Sequence, residues 1–413
     1  MKQLLAACAA IVTVIGSSGF AQPQGALRAF TGMRLFDGTG RVVVGDAAMI
    51  VRDGRITAVG PSASVQIPAG AARTTLEGRT VVPGLINAHG HIRNTARDTA
   101  VYAAYGVTTV HSLGDEGPDA FAARDNQNTA ALDRTRLLLA GPVLDPSSPE
   151  DARQQVAANV RARSDLIKIR VDDNLGATPK MPPEIYRAVI DESHRQGLRT
   201  AVHLFYLADA KGVLRAGADL IAHSVRDADV DAELIGLLKA RDVCLVPTLM
   251  REVSTFTYES TPAFFADPFF LAHADPAWIA ELRDPARQAR TKASPSAQRY
   301  KLALQQAKKN LKTLSDNGVR IAMGTDSGPV GRFQGYFELM ELELMVEAGL
   351  TPEQALLAAT RDAARCHHID RDLGTLEPGK WADFVVLGAD PLTDISNMRR
   401  IEAVYVAGNA VDR

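Results

Sequence analysis

The chain has 413 residues, a length that suits a large barrel with a companion module. Its 46% hydrophobic and 23% charged residues are the balance of a folded globular protein and exclude a disordered or fibrous chain. A formal net charge of −2 excludes a general binder of nucleic acid or anionic membrane surface.

Residues 1–21 read as a separate unit. Met1-Lys2-Gln3 is a short basic start, Leu4 to Ile15 is mostly apolar, and Gly19 and Ala21 supply the small residues of a secretory cleavage site. The pattern predicts a signal peptide and an exported protein, periplasmic or secreted. The apolar run falls short of the roughly 20 residues a membrane span needs. Leu5-Ala6-Ala7-Cys8 lies too early in it for a lipoprotein site. No later segment reads as transmembrane, so stable membrane insertion is not expected. Beyond the signal, Cys244 falls in an apolar strand pattern and Cys366 at the end of a helical run, which predicts two separate buried thiols.

Short β-like pieces follow: Leu27 to Phe36, Ala47 to Arg52, Arg55 to Val59 and Arg73 to Glu77. Asp37-Gly38 and Asp53-Gly54 mark turns between them. From Thr80 the pattern alternates strand and helix. The candidate strands are Val81–Ala88, Val107–Leu113, Arg136–Ala140, Asp165–Arg170, Arg199–His203, Asp219–His223, Val243–Pro247 and Arg320–Thr325. Helical runs such as Ser148–Arg163, Pro183–Gln196 and Ala208–Ala216 lie between them. Eight such units predict an α/β fold, a (β/α)8 TIM barrel over residues 80–373. A long insertion from Arg251 to Asn317 follows the seventh strand and is expected at the barrel mouth, where it would help build or cover a pocket. β character returns from Gly374 in Asp383–Leu387 and Ala403–Val406, so residues 22–79 and 374–413 are expected to form one β-sandwich module.

The chemistry-bearing residues fall on this frame. His89 and His91 end VPGLINAHGH, two residues apart on one strand face. His203 ends strand five, His223 ends strand six, and Asp326 follows strand eight. C-terminal strand ends are where barrel active sites assemble. Lys168 sits within Ile167-Lys168-Ile169. If the isoleucines pack on the helices, the lysine points inward, where a lone ammonium is costly and needs compensation or a change in its chemistry.

VPGLINAHGH, Ala201-Val202-His203, Ile221-Ala222-His223-Ser224, Gly324-Thr325-Asp326-Ser327 and the tail Gly374–Leu387 together resemble the amidohydrolase superfamily of metal-dependent hydrolases. The resemblance spans essentially the whole mature chain. It implies that His89, His91 and Asp326 hold one metal ion and that His203 and His223 hold a second. It also implies that Lys168 is carboxylated by carbon dioxide and bridges both. Two divalent ions, zinc being favoured by imidazole and carboxylate ligands, would bring a bridging water to hydroxide near neutrality. Asp326 would act as general base and then acid.

Ile167-Lys168-Ile169 and Pro247-Thr248-Leu249 look most like the imidazolonepropionase-like and prolidase-like dipeptidase branch. That implies cleavage of an amide bond in a small acyl-amino-acid or dipeptide substrate. Tyr206 resembles a substrate-contacting tyrosine of those peptidases; packing on the barrel rim is its other reading. Arg170 and Arg226 are placed to meet a substrate carboxylate or to pair with a loop acid, and His111 either approaches the site from strand two or sits in the core. His194, His273, His367 and His368 read as structural or surface residues. Three other functions compete: a lactonase or cyclic-imide hydrolase, a mononuclear deaminase or imidazolone hydrolase, and an inactive scaffold. Homo-oligomer formation is left open.

Overall fold

The computed structural model describes residues 26–413. The signal-peptide expectation lies outside the described residues. Both chain ends meet in one eight-stranded mixed sheet. Leu27–Leu35 pairs antiparallel with Val44–Arg52, which pairs antiparallel with Arg55–Pro61. The hairpin turn Asp53-Gly54 has φ of +52° and +78°, the left-handed pair that a two-residue turn between twisted strands requires. Ala72–Thr75 and Thr80–Pro83 both pair parallel with Leu27–Leu35. The C-terminal strands Phe384–Leu387, Ile401–Val406 and Asn409–Ala410 extend the sheet beyond Thr80–Pro83. Phe30, Met33, Met49, Val81 and Phe384 fill its core.

The predicted first barrel strand is divided. Thr80–Pro83 belongs to the mixed sheet, whereas Leu85–Gly90 opens a parallel sheet with Val107–Ser112 and Arg136–Leu139. The chain changes sheets at Gly84. Its N–H donates to Asp383 O at 2.9 Å, and Leu85 N–H donates to Gly106 O at 2.9 Å. A Cβ at Gly84 would overlap the Thr108 side chain, so only glycine fits.

A second parallel sheet holds Ile167–Arg170, Thr200–His203, Leu220–Ala222 and Cys244–Val246. Isolated bridges join the pieces: Leu144 to Ile169, Leu245 to Ile321, and Gly90 to Ser327. The predicted eighth strand thus contributes bridges and single hydrogen bonds, such as Ala88 N–H to Met323 O at 2.8 Å, and is not a regular strand. Strand parity works as expected. Ile167, Ile169, Val202, Ile221 and Leu245 pack in one cluster with the helices, while Ala88, Ala140, Leu166, Ala201 and Ala222 pack in another.

The connecting helices include Pro149–Arg161, Pro183–Arg195, Leu207–Ala216 and Ala232–Ala240. Ser148 and Asp231 cap two of their N-termini, and Gly217 at φ +106° ends a third. The stretch read as one insertion divides in two. Leu249–Phe256, Pro268–Leu271, Pro276–Leu282 and Pro285–Ala293 are short helices. Pro295–Asp316 is a 22-residue helix whose buried Ala303, Leu304, Ala307, Leu311 and Leu314 show the 3–4 spacing of a core-facing stripe. Four prolines at helix starts, Pro268, Pro276, Pro285 and Pro295, mark these boundaries in the sequence.

The expectation of two separate thiols is corrected. Cys244 and Cys366 form a disulfide with their Cα atoms 5.8 Å apart, within the usual span of such a bond. The two lie 122 residues apart, and only the fold sets the helix Arg361–Cys366 against the strand Cys244–Val246.

Candidate metal centre

His89, His91 and Asp326 each offer a donor atom, and these atoms lie within 4.8 Å of one another. His91 Nε2 is 2.8 Å from Asp326 Oδ1 and His89 Nε2 is 3.4 Å from it. Lys168 Nζ lies 3.4 Å from His89 Nε2. The His89 and His223 ring centroids are 4.7 Å apart, and those of His203 and His223 are 4.2 Å apart. The six predicted ligands therefore occupy one cluster, and all but His91 are buried.

Local backbone holds them there. His223, Thr248 and Asp326 have φ of +77°, +49° and +59°, conformations that cost a non-glycine residue about 1–3 kcal/mol each. Thr248 Oγ1 is 2.6 Å from His223 Nδ1, which leaves Nε2 buried without a protein partner. His203 Nε2 is 3.0 Å from Asp172 Oδ2, so Nδ1 is its remaining donor atom. Asp326 N–H donates to His89 O at 2.6 Å. That approach needs Gly324, where a Cβ would stand 2.8 Å from His89 N. Behind the cluster Glu338 accepts from Asn87, Thr325 and Ser327 at 2.5–2.6 Å, tying the ends of the first and eighth segments together.

The electrostatics suit a cation. Burial lowers the pKa of His89 and His223 well below the ordinary imidazole value. Burial lowers His203 to about 3 although Asp172 opposes the shift. Neutral imidazoles are the form that ligates metal. Burial pushes the Asp326 carboxyl up, but Arg332, His89 and His91 outweigh it and hold the group well below the carboxylate range. Asp172 is likewise pushed up by burial, yet the bond to His203 and the charges of Arg226 and Arg170 bring it to about 2. Burial drops Lys168 to about 7, with Asp326 acting against the change. The donor set, its neutral imidazoles and the unpartnered His89 Nδ1 and His223 Nε2 fit a metal site.

The other predicted residues separate. Arg170 is exposed at the strand end. Tyr206 donates from its hydroxyl to Asp173 Oδ1 at 2.8 Å and lies beneath Lys180 Nζ. Arg226 is wholly buried, 3.2 Å from Glu252 of the helix Leu249–Phe256 and 4.7 Å above the Phe205 ring, so its partner is an internal acid. His111 is buried, with Nδ1 2.8 Å from His367 Nδ1, which makes both core residues.

Sequence reasoning missed Asp172, Thr248, Asn87, Glu338, Arg251 and Arg332. Continued parity through Lys168, Arg170 and Asp172 was a usable signal for the first. Arg332 donates to Asp326 Oδ2, and nothing in its local sequence marks it.

The profile of the Amidohydrolase family matches residues 80–411, and the chain belongs to that family. It is a hydrolase acting on carbon–nitrogen bonds. It is 26% identical over 390 residues to an imidazolonepropionase of Methylobacterium nodulans, covering 83% of this chain and 88% of that one. A candidate prolidase from Bifidobacterium longum superposes with a TM-score of 0.77 at 27% identity, covering 95% of this chain and 96% of that chain. A Xaa-Pro dipeptidase with bound methionine shares the fold at a TM-score of 0.72 and 23% identity, covering 94% and 100%. Among the described residues no helix is long and apolar enough to cross a membrane.

Proposed function

We propose that the chain is an exported, binuclear metal-dependent amidohydrolase that cleaves an amide bond in a small acyl-amino-acid or dipeptide substrate. The parallel sheets and the segment 320–327 would close into a (β/α)8 barrel over residues 80–373. The mixed sheet would be the β-sandwich made from residues 22–79 and 374–413. His89, His91 and Asp326 would hold one ion, and His203 and His223 the other. Lys168, as a carbamate, would serve both.

The observation that carries this reading is the convergence of four imidazoles, Asp326 and the Lys168 amine on one buried point. Zinc suits the donor set. When bound, a pair of such ions supplies hydroxide near neutral pH and polarises a carbonyl. The chain's own residues do the remainder. Lys168 near its titration point keeps a neutral fraction of amine, the form that adds to carbon dioxide: a nitrogen–carbon bond forms and a proton leaves to solvent. Asp326 stays anionic, so it can take the proton of the attacking water and deliver it to the departing nitrogen. Tyr206 and Arg170 would border the substrate.

Relatives named dipeptidase and prolidase favour a linear amide. Relatives named imidazolonepropionase favour a second reading, the opening of a cyclic amide. Export is supported by the apolar N-terminus and by a disulfide, a bond that persists in oxidising compartments. A hydrolysis screen of N-acyl amino acids and dipeptides, with lactones as the counter-class, tests the function. Turnover of amides is expected; lactones reacting far faster than every amide would overturn the substrate class.

A further inference from the structure

Three guanidinium groups crowd one side of the metal cluster with two carboxylates between them. Arg226 and Arg251 share Glu252. Arg251 Nη1 is 3.3 Å from both of its oxygens, and Arg226 Nε is 3.2 Å from one of them. Arg332 donates from Nη1 to Asp326 Oδ2 and from Nε to Ser254 Oγ at 3.0 Å. Arg251 Nε stands 4.0 Å from the same Asp326 oxygen and has no hydrogen-bond partner; Arg226 Nη2 has none either. Nearby Glu341 is occupied by the backbone N–H groups of Leu249 and Met250.

The balance becomes less favourable when Asp326 serves an ion. Among the described residues Glu252 is then the one carboxylate in direct contact with any of these three arginines, two of them almost wholly buried. Buried guanidinium groups without an anion cost several kcal/mol. Arg226 cannot reach an incoming molecule, since its side chain is 0% exposed. Arg251 at 8% and Arg332 at 19% retain an open edge.

Both are held firmly. Arg251 lies in the first turn of Leu249–Phe256, 4.6 Å from the Tyr300 ring centroid. Arg332 sits in a loop pinned by the Tyr258 hydroxyl, which donates to Gly331 O at 2.5 Å. A Cβ at Gly331 would stand 2.9 Å from the Tyr258 ring, so the glycine is what allows this approach.

We infer that Arg251 and Arg332 form the subsite for the substrate's free carboxylate, which makes the enzyme specific for amides of amino acids over neutral amides. Two forked donors either side of a planar two-oxygen anion are the arrangement that reads a carboxylate. The inference deepens the proposed function and rests on it in taking the anion to be part of that site's substrate.

The test is equilibrium binding to the full-length zinc-loaded protein, measured by calorimetry, of L-methionine against L-methioninol, which lacks the carboxylate. The unaltered protein should favour the acid by about 30-fold or more, and Arg251→Met and Arg332→Met should each reduce that ratio to about threefold or less. Should either variant fail to fold, Arg251→Lys and Arg332→Lys keep the charge without the fork and should give intermediate ratios. An unchanged ratio in folded variants, or no discrimination by the unaltered protein, overturns the assignment. Neither probe carries an amide bond, so failure of amide turnover and failure of this subsite are read separately.

Discussion

Replacing Lys168 by methionine in metal-free protein should stabilise the fold at acid pH. The amine is buried, and its pKa falls from 10.5 to about 7. In the unfolded chain the same amine holds its proton up to its ordinary value. Between pH 7 and 10.5 the unfolded state therefore binds more protons, and stability rises with pH across that window. Below pH 7 the full penalty applies, ~5 kcal/mol at most from the size of the shift. Methionine fills similar volume without a charge, so the variant should gain about 2–5 kcal/mol at pH 6 and lose about half of that advantage by pH 9. The assay is urea unfolding of chelator-treated protein at both pH values. A variant less stable than the parent at pH 6, or a gap of equal size at both, would refute the reasoning.

Asp326→Asn should lower kcat at least ~10²-fold with an unchanged circular dichroism spectrum, because the amide cannot carry the proton. Thr248→Val removes the group that orients His223 and should weaken zinc affinity by about 10–100-fold in a competition titration. The paired change Cys244→Ala and Cys366→Ala should lower stability by about 2–5 kcal/mol relative to oxidised parent protein, read as a shift in the urea midpoint that full reduction of the parent reproduces.

Much of the cluster was legible because strand parity is rigid. The flanking isoleucines fixed the direction of Lys168, and His89 and His91 meet at Asp326 although His91 stands just past the strand Leu85–Gly90. The Asp-Gly hairpin was legible for the same local reason. What depended on distant packing was not. Nothing in VVPGLI says that the chain leaves one sheet for another at Gly84, because the cause is the Thr108 side chain behind it. The eighth segment reads as a strand, yet its residues bond to neighbours at scattered points as it turns to bring Asp326 against His89. Cys244 and Cys366 carry no local sign of each other. Arg226, like Arg170, could be read either as meeting a substrate carboxylate or as pairing with an acid, and it pairs with Glu252. Arg251 and Arg332 stand nearer to Asp326 because the helix Leu249–Phe256 and the loop that follows Asp326 deliver them there.

The most direct test of the account is the zinc content of pure protein expressed with added zinc and bicarbonate, measured by plasma mass spectrometry. Two ions per chain, falling to one or fewer in Lys168→Met, is the predicted result. A single ion per chain in the unaltered protein would contradict it.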